Sequence, residues 1–192
     1  MMNELISRTQ RNHALEHATI HMLSHRYKGF NAQGNSVHDG FFLNIYGDIP
    51  AEAIEEAVSE AYERLQGGEH SLAIHPNCGT VLLTTATMVT LASQMAFAFE
   101  QRRLRRIQAN PLILLGAFPA AILAGTLALI VSRPVGLSLQ ARFTTDGDLR
   151  DLQVARVRKV KPSPVTHLFR WLLAGGKELE MTAYRVDTIF NN

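Results

Sequence analysis

Residues 111–132 read PLILLGAFPAAILAGTLALIVS, an apolar run without a charge, and this stretch decides the class of fold. A helix needs about 20 consecutive apolar residues to cross bilayer hydrocarbon, so 111–132 is predicted to be a transmembrane helix. Its Gly116, Gly125, Ala120, Ala121 and Ala124 suit close helix packing in lipid, and Pro119 is placed to kink it. Upstream, residues 80–99 read TVLLTTATMVTLASQMAFAF. This run is also uncharged but is thinned by five threonines, Ser93 and Gln94. In a membrane those hydroxyls bond back to their own helix or across to another. A buried helix of a soluble protein would fit the same composition, but the adjacent second run favours a two-helix transmembrane hairpin.

The basic loop 100–110 between the runs holds Arg102, Arg103, Arg105 and Arg106 against Glu100. The positive-inside rule would place it in the cytoplasm with both termini outside. Arg133 and Arg142 after the second run pull the other way, as does the N-terminal part, which would need translocation. Residues 1–25 lack the apolar core and small-residue cleavage site of a secretory signal. Sidedness stays open at this point.

Working outward, residues 1–80 carry five Lys/Arg against ten Asp/Glu, and residues 133–192 carry ten against six. The acidic N-terminal part argues against nucleic acid as a partner. The whole reads as an α+β membrane protein: a small metal-binding α+β domain over 1–79, two spans over 80–132, and a β-rich segment over 133–192. The C-terminal segment is expected to pair with the N-terminal domain on the same membrane face.

Chemistry concentrates in the first part. Residues 5–27 read as one helix stopped by Lys28-Gly29, and on it stands His13-Ala14-Leu15-Glu16-His17. Residues four apart share a helix face, so His13 and His17 can present two imidazoles to one metal ion, with Glu16 beside them. Two histidines and a carboxylate able to deprotonate a metal-bound water are the parts of a zinc hydrolase, and this order is the inverted zincin motif. His21 and His25 continue the ladder. A drift of about 40° per step leaves His21 at the edge of a site and His25 solvated.

A second element, His75-Pro76-Asn77-Cys78-Gly79-Thr80, holds the single cysteine and precedes the first apolar run. A lone cysteine is commonly a small buried hydrophobe. Proline and glycine give this one an unusual backbone path, and its thiolate is a candidate third ligand with His75 as competitor. Three protein ligands would leave an open zinc position for water, whereas His13, His17, His75 and Cys78 together would close a structural site.

Elsewhere, residues 30–37 and 41–46 flank His38-Asp39-Gly40 as a β-hairpin. The Asp-Gly pair is read as a turn and not as chemistry. Residues 50–65 form an amphipathic helix, with Ile54, Ala57, Val58, Ala61 and Leu65 at core spacing and Glu52, Glu55, Glu56, Glu60 and Glu63 on the solvated side. Gly67-Gly68 ends it, and 71–75 is expected to be a short strand. Residues 137–145 and 149–160 have β character around a Thr145–Asp148 hairpin signal. Residues 165–173 suit a short interfacial helix with Phe169 and Trp171, and 179–190 a final strand.

With these residues in hand, the chain resembles an uncharacterised bacterial membrane-protein family, domain of unknown function 6391. The resemblance rests on RNHALEHATIHML, the HPNCGT turn and the apolar segment after it, roughly the first half of the chain. The pairing of the two motifs before a span also looks like another uncharacterised bacterial membrane family. The resemblance implies a bacterial cell-membrane location with two spans and a metal site, and brings no established activity.

The leading expectation is an integral-membrane zinc-dependent hydrolase, a metallopeptidase in class. His13 and His17 would hold the ion, Cys78 or His75 would complete the ligands, and Glu16 would be the general base. Its partners would be the lipid bilayer and a membrane-proximal protein substrate. The second expectation is a non-enzymatic membrane scaffold with a closed structural zinc site. A zinc deaminase ranks last, because Cys78 has no partner cysteine and the H-x-E signature is absent. A phosphate-binding glycine loop is also absent.

Overall fold

The computed structural model describes residues 2–107, 115–162 and 181–190. They form an α+β protein with four α-helices and a four-stranded antiparallel sheet. The chain divides into two compact units: Met1–His75 with Ala141–Asn192, and Pro76–Gln140.

In the first unit, α1 (Met2–Arg26) is a run of good helix formers without glycine or proline. Leu15, Ala18, Met22 and Leu23 are buried at helical spacing, but so are Arg11, Asn12, Glu16, His17 and Thr19. Buried polar groups persist in a fold when they find partners. Arg11 pairs with Asp151 at 2.5 Å and bonds the Ser7 hydroxyl at 2.9 Å. Asn12 donates to the Val37 carbonyl and accepts from the Thr188 hydroxyl, both at 2.8 Å. The residue before His13 is thus tied to two strands.

The sheet has the order β1-β2-β4-β3. The hairpin of β1 (Ala32–Val37) and β2 (Gly40–Tyr46) turns at His38-Asp39, as the Asp-Gly signal predicted. On the other side of β2 lies β4 (Met181–Phe190), and β3 (Leu152–Val160) forms the far edge. The C-terminal strands therefore complete a sheet begun by the N-terminal hairpin. Alternation puts Phe41, Leu43 and Ile45 of β2 and Tyr184 and Val186 of β4 inward. They meet α1 and α2 (Ala51–Gln66), whose Ile54, Ala57, Val58, Ala61 and Leu65 are buried as the periodicity predicted. Each fully buried Leu, Ile or Phe contributes about 1.5–3 kcal/mol. The glutamates of α2 face outward, and Glu56 and Glu60 pair with Arg26.

Several sequence expectations are corrected. Residues 71–75 are not a strand: His70–Ala73 is a 3-10 turn held by local bonds such as Leu72 N–H to Glu69 C=O at 3.0 Å. The carbonyls of Ala73 and Ile74, which a strand would give to a neighbour, bond His17 and His21 instead. Residues 137–145 are not β either, since α4 (Phe118–Leu139) continues through them into a π-helical turn over Gln140–Thr144. Without a strand there, Thr145–Asp148 cannot be a hairpin. It is a loop in which Asp146 N–H bonds the Gln10 carbonyl at 3.1 Å. Finally, the basic segment is helical as far as Ile107, because arginine, glutamine and leucine favour helix over loop. The expected helix at 165–173 and the start of the last strand at 179–180 lie outside the described residues.

The second unit is a helical hairpin of α3 (Gly79–Ile107) and α4. Both helices are long and apolar enough to cross a membrane: Gly79–Leu104, and Leu115–Thr144 with the turn that extends α4. Pro119 does not kink the second helix. It sits in the first turn, where its missing N–H costs nothing. The helices meet along Ala121, Gly125, Ala128, Ser132 and Gly136. A Cβ on Gly136 would stand 2.9 Å from the Val81 Cα, so the backbones touch there. Hydroxyls are satisfied as expected of threonine-rich spans: Thr84 bonds the Thr80 carbonyl at 2.7 Å, and Ser132 bonds Thr85 across the hairpin at 3.0 Å.

Candidate metal centre

The regular helix over α1 puts His13 and His17 one turn apart, with ring centroids 4.2 Å from each other. Each ring is locked by a backbone carbonyl from a different part of the unit. His13 Nδ1 lies 2.8 Å from the Thr144 carbonyl, at the end of the π-helical turn, and His17 Nδ1 lies 2.7 Å from the Ala73 carbonyl, at the end of the 3-10 turn. A carbonyl only accepts, so both Nδ1 atoms carry the proton. The Nε2 atoms of the two rings then hold the basic lone pairs. A ligand histidine needs this tautomer, and a hydrogen bond to the other nitrogen is the usual way to fix it.

Two further imidazoles extend the row. The His75 ring lies 5.7 Å from His17 and 5.0 Å from His21, centroid to centroid. His21 differs from its neighbours by donating from Nε2, to the Ile74 carbonyl at 3.0 Å. Burial, then the nearby His17 and His21, push the His75 pKa down to about 4. The ring is therefore neutral at pH 7. His25 is exposed, as the helical drift predicted.

Glu16 projects from the same helix against β1 and is only 4% exposed. The Ser36 hydroxyl donates to its Oε2 at 2.6 Å. Its other oxygen occupies the space a side chain at position 34 would fill: a Cβ on Gly34 would lie 1.7 Å from Oε1. The Ser36 hydroxyl and the missing side chain at position 34 thus both help to place the carboxylate. Nothing in the motif pointed to Gly34 or Ser36. The available signal was that residues 32–37 read AQGNSV, too poor in apolar residues for a strand packed on a core helix.

Cys78 belongs to the second unit. It is buried, and its carbonyl accepts from the Leu82 N–H at 3.1 Å in the first turn of α3. The motif residues do not line the open groove of about 610 Å³ between α2 and β3, which is bordered by Glu55, Tyr62, Gln153 and Arg156.

Comparison with known proteins bears on family and not on activity. Over 82 residues the chain is 38% identical to an uncharacterized protein of Picosynechococcus sp. (strain ATCC 27264 / PCC 7002 / PR-6), an alignment covering 38% of this chain and 39% of that protein. The chain thus spans about two fifths of the length of the curated relative it matches. No solved structure matches. The family model described as Domain of unknown function (DUF6391) matches residues 8–157, most of the chain and both motifs. The chain belongs to the DUF6391 family.

Proposed function

We propose that this protein is an integral-membrane zinc-dependent hydrolase of the metallopeptidase class. The observation that carries the reading is the locked tautomer of His13 and His17, whose Nδ1 protons are committed to the Thr144 and Ala73 carbonyls. Two imidazoles on one helix face, oriented before any ligand arrives, fit a metal site better than a solvated histidine ladder.

His13 and His17 would act through Nε2, and Cys78 of the HPNCGT motif is the proposed third ligand, giving two nitrogens and one sulfur. Cys78 follows His75 by three residues, a tether of at most about 11 Å, and the His75 ring already lies on His17. Two imidazoles and a thiolate are a zinc donor set that leaves one position open. Zinc in such a set supplies Lewis acidity and lowers the pKa of water toward neutrality. Glu16 takes the proton from the attacking water and returns it to the leaving group. Ser36 and the space at Gly34 fix which way the carboxylate points.

The second unit supports the membrane residence in this reading. Leu83, Met95, Phe99 and Ile130 are each about 70% exposed, and only 6% of the apolar window of α3 is buried. A soluble protein rarely presents so continuous an apolar surface to water, whereas a bilayer accepts it.

Burial favours a second reading. His17 and Cys78 are 2% and 6% exposed, which suits a closed structural site of His13, His17, His75 and Cys78 in a membrane scaffold. Elemental mass spectrometry of detergent-purified wild type, His13→Ala, Cys78→Ala and Glu16→Gln tests both readings. About one zinc per chain is expected, lost in His13→Ala and Cys78→Ala and kept in Glu16→Gln. A fluorogenic peptide library should then be cleaved by wild type and not by Glu16→Gln. Zinc without Glu16-dependent turnover would favour the scaffold, and no zinc in any sample would overturn both.

A further inference from the structure

The sheet has two edges, and the fold treats them differently. At the β3 edge stand Arg156, Arg158 and Lys159, and the register slips between Val154 and Arg156. Charge and irregularity are the usual protections of an edge against added strands. The β1 edge, Ala32-Gln33-Gly34-Asn35-Ser36-Val37, has no charge, no proline and no bulge. Among the described residues no strand pairs with this edge; Gly34 and Asn35 are exposed and the other four residues half-buried.

The register states which backbone groups that edge offers. Tyr46 N–H donates to the Asn31 carbonyl at 3.0 Å, which fixes the parity of the β1–β2 ladder: Gln33, Asn35 and Val37 turn their N–H and C=O toward β2. Ala32, Gly34 and Ser36 turn theirs away. By the pleat, these same three residues turn their side-chain positions toward α1. There the missing side chain of Gly34 and the hydroxyl of Ser36 enclose the Glu16 carboxylate. One dipeptide repeat of β1 therefore serves the carboxylate with its side chains and an open edge with its backbone.

We propose that this edge is the docking strand for substrate: an extended peptide segment pairs with Ala32, Gly34 and Ser36 and is thereby laid beside Glu16. Strand addition takes its affinity from main-chain hydrogen bonds, so the substrate class is an unfolded or extended protein segment, selected by backbone more than by side chains. An amide joined to this edge has its own N–H and C=O in register with Gly34, the residue nearest the base. The proposal rests on the peptidase reading for the purpose of docking, but not for its occurrence.

The test uses zinc-supplemented full-length protein in detergent and a fluorescein-labelled octapeptide, Lys-(Thr-Val)3-Lys, read by fluorescence anisotropy. A counterpart N-methylated at every amide has lost all its backbone amide donors and should bind at least about tenfold more weakly to the wild type. On the protein side, Ala32→Pro removes one outward N–H without breaking the β2 ladder, a place where an edge strand tolerates proline. It should weaken binding of the unmethylated peptide by a similar factor while leaving zinc content and thermal midpoint unchanged. Equal binding of the two peptides to wild type would overturn the docking proposal, whatever the metal content. Donor-dependent binding in a protein that holds no zinc and cleaves nothing would uphold the edge and sink the peptidase reading.

Discussion

Gly34→Ala puts the arrangement around Glu16 under direct stress. The added Cβ would stand 1.7 Å from Glu16 Oε1 and 2.1 Å from its Cδ, well inside contact, so the carboxylate must leave. Leaving breaks the 2.6 Å bond from Ser36, and a hydrogen bond to a charged group contributes about 1.5–3 kcal/mol. Forcing a methyl group into filled space costs about 1–3 kcal/mol more. Against this, replacing a strand glycine by alanine gains roughly 0.5–1 kcal/mol in chain entropy. The net cost is about 2–5 kcal/mol, and at about 2–4 °C per kcal/mol for a chain of this size the thermal midpoint should fall by roughly 5–20 °C. The same substitution in a Glu16→Ala background meets no carboxylate. There it should be neutral or stabilise by up to about 1 kcal/mol. Near-ultraviolet circular dichroism of the four proteins of this cycle, melted in one detergent, reads both the size and the change of sign. If Gly34→Ala costs as much without Glu16 as with it, the carboxylate does not occupy that space, and Glu16 has been placed wrongly.

The outer face of the sheet gives a pH prediction. The hydrogen bond from Arg158, helped by Arg156 and Arg185 against the opposing cost of burial, holds the Asp187 carboxyl well below the usual aspartate range. A depressed carboxyl pKa contributes stability above the unfolded value near 4, and that stability is lost as pH falls toward the folded one. Asp187→Asn should therefore lower the thermal midpoint at pH 7 by clearly more than at pH 3, and an equal loss at both would deny the linkage. In the helical hairpin, Gly136→Val must push α4 off Val81, at a cost of about 1–3 kcal/mol. The outward-facing Ile130→Val serves as control, and equal midpoints of the two variants in detergent would refute the close contact.

How much of this could be read from the chain depended on whether a signal was local. The H-x-x-E-H spacing, the His38–Gly40 turn and the stripe of α2 are local patterns, and each appears where it was expected. The expected strand at 71–75 failed because apolar content alone does not make a strand. The backbone acceptors of Ala73 and Ile74 were drawn to histidine rings some fifty residues earlier. The expected β character at 137–145 failed because α4 runs on through Leu139 into the π-helical turn, and Gly136 before it serves the close approach of α4 to α3. Gly34 and Ser36 were invisible because their role is set by a carboxylate on another element. The Thr144 carbonyl is more remote still, since 131 positions separate it from His13.

The surroundings of Glu16 bear on the two proposed zinc readings. A structural clip needs its ligands, and in it Glu16 would serve only to tie α1 to β1 through Ser36. Removing an ionised carboxylate from water costs several kcal/mol unless partners compensate, and an apolar residue of similar size would fill the same space without that penalty. The fold instead accommodates the charge, by leaving position 34 without a side chain and aiming the Ser36 hydroxyl at one oxygen. These features hold the carboxylate in one orientation, on the helix that also carries the two imidazoles. A proton acceptor must be held in this way, because its efficiency depends on where its lone pair points as well as on its pKa. The accommodation of Glu16 is what the proposed hydrolase would require, and the burial of His17 and Cys78 is what a closed site would require.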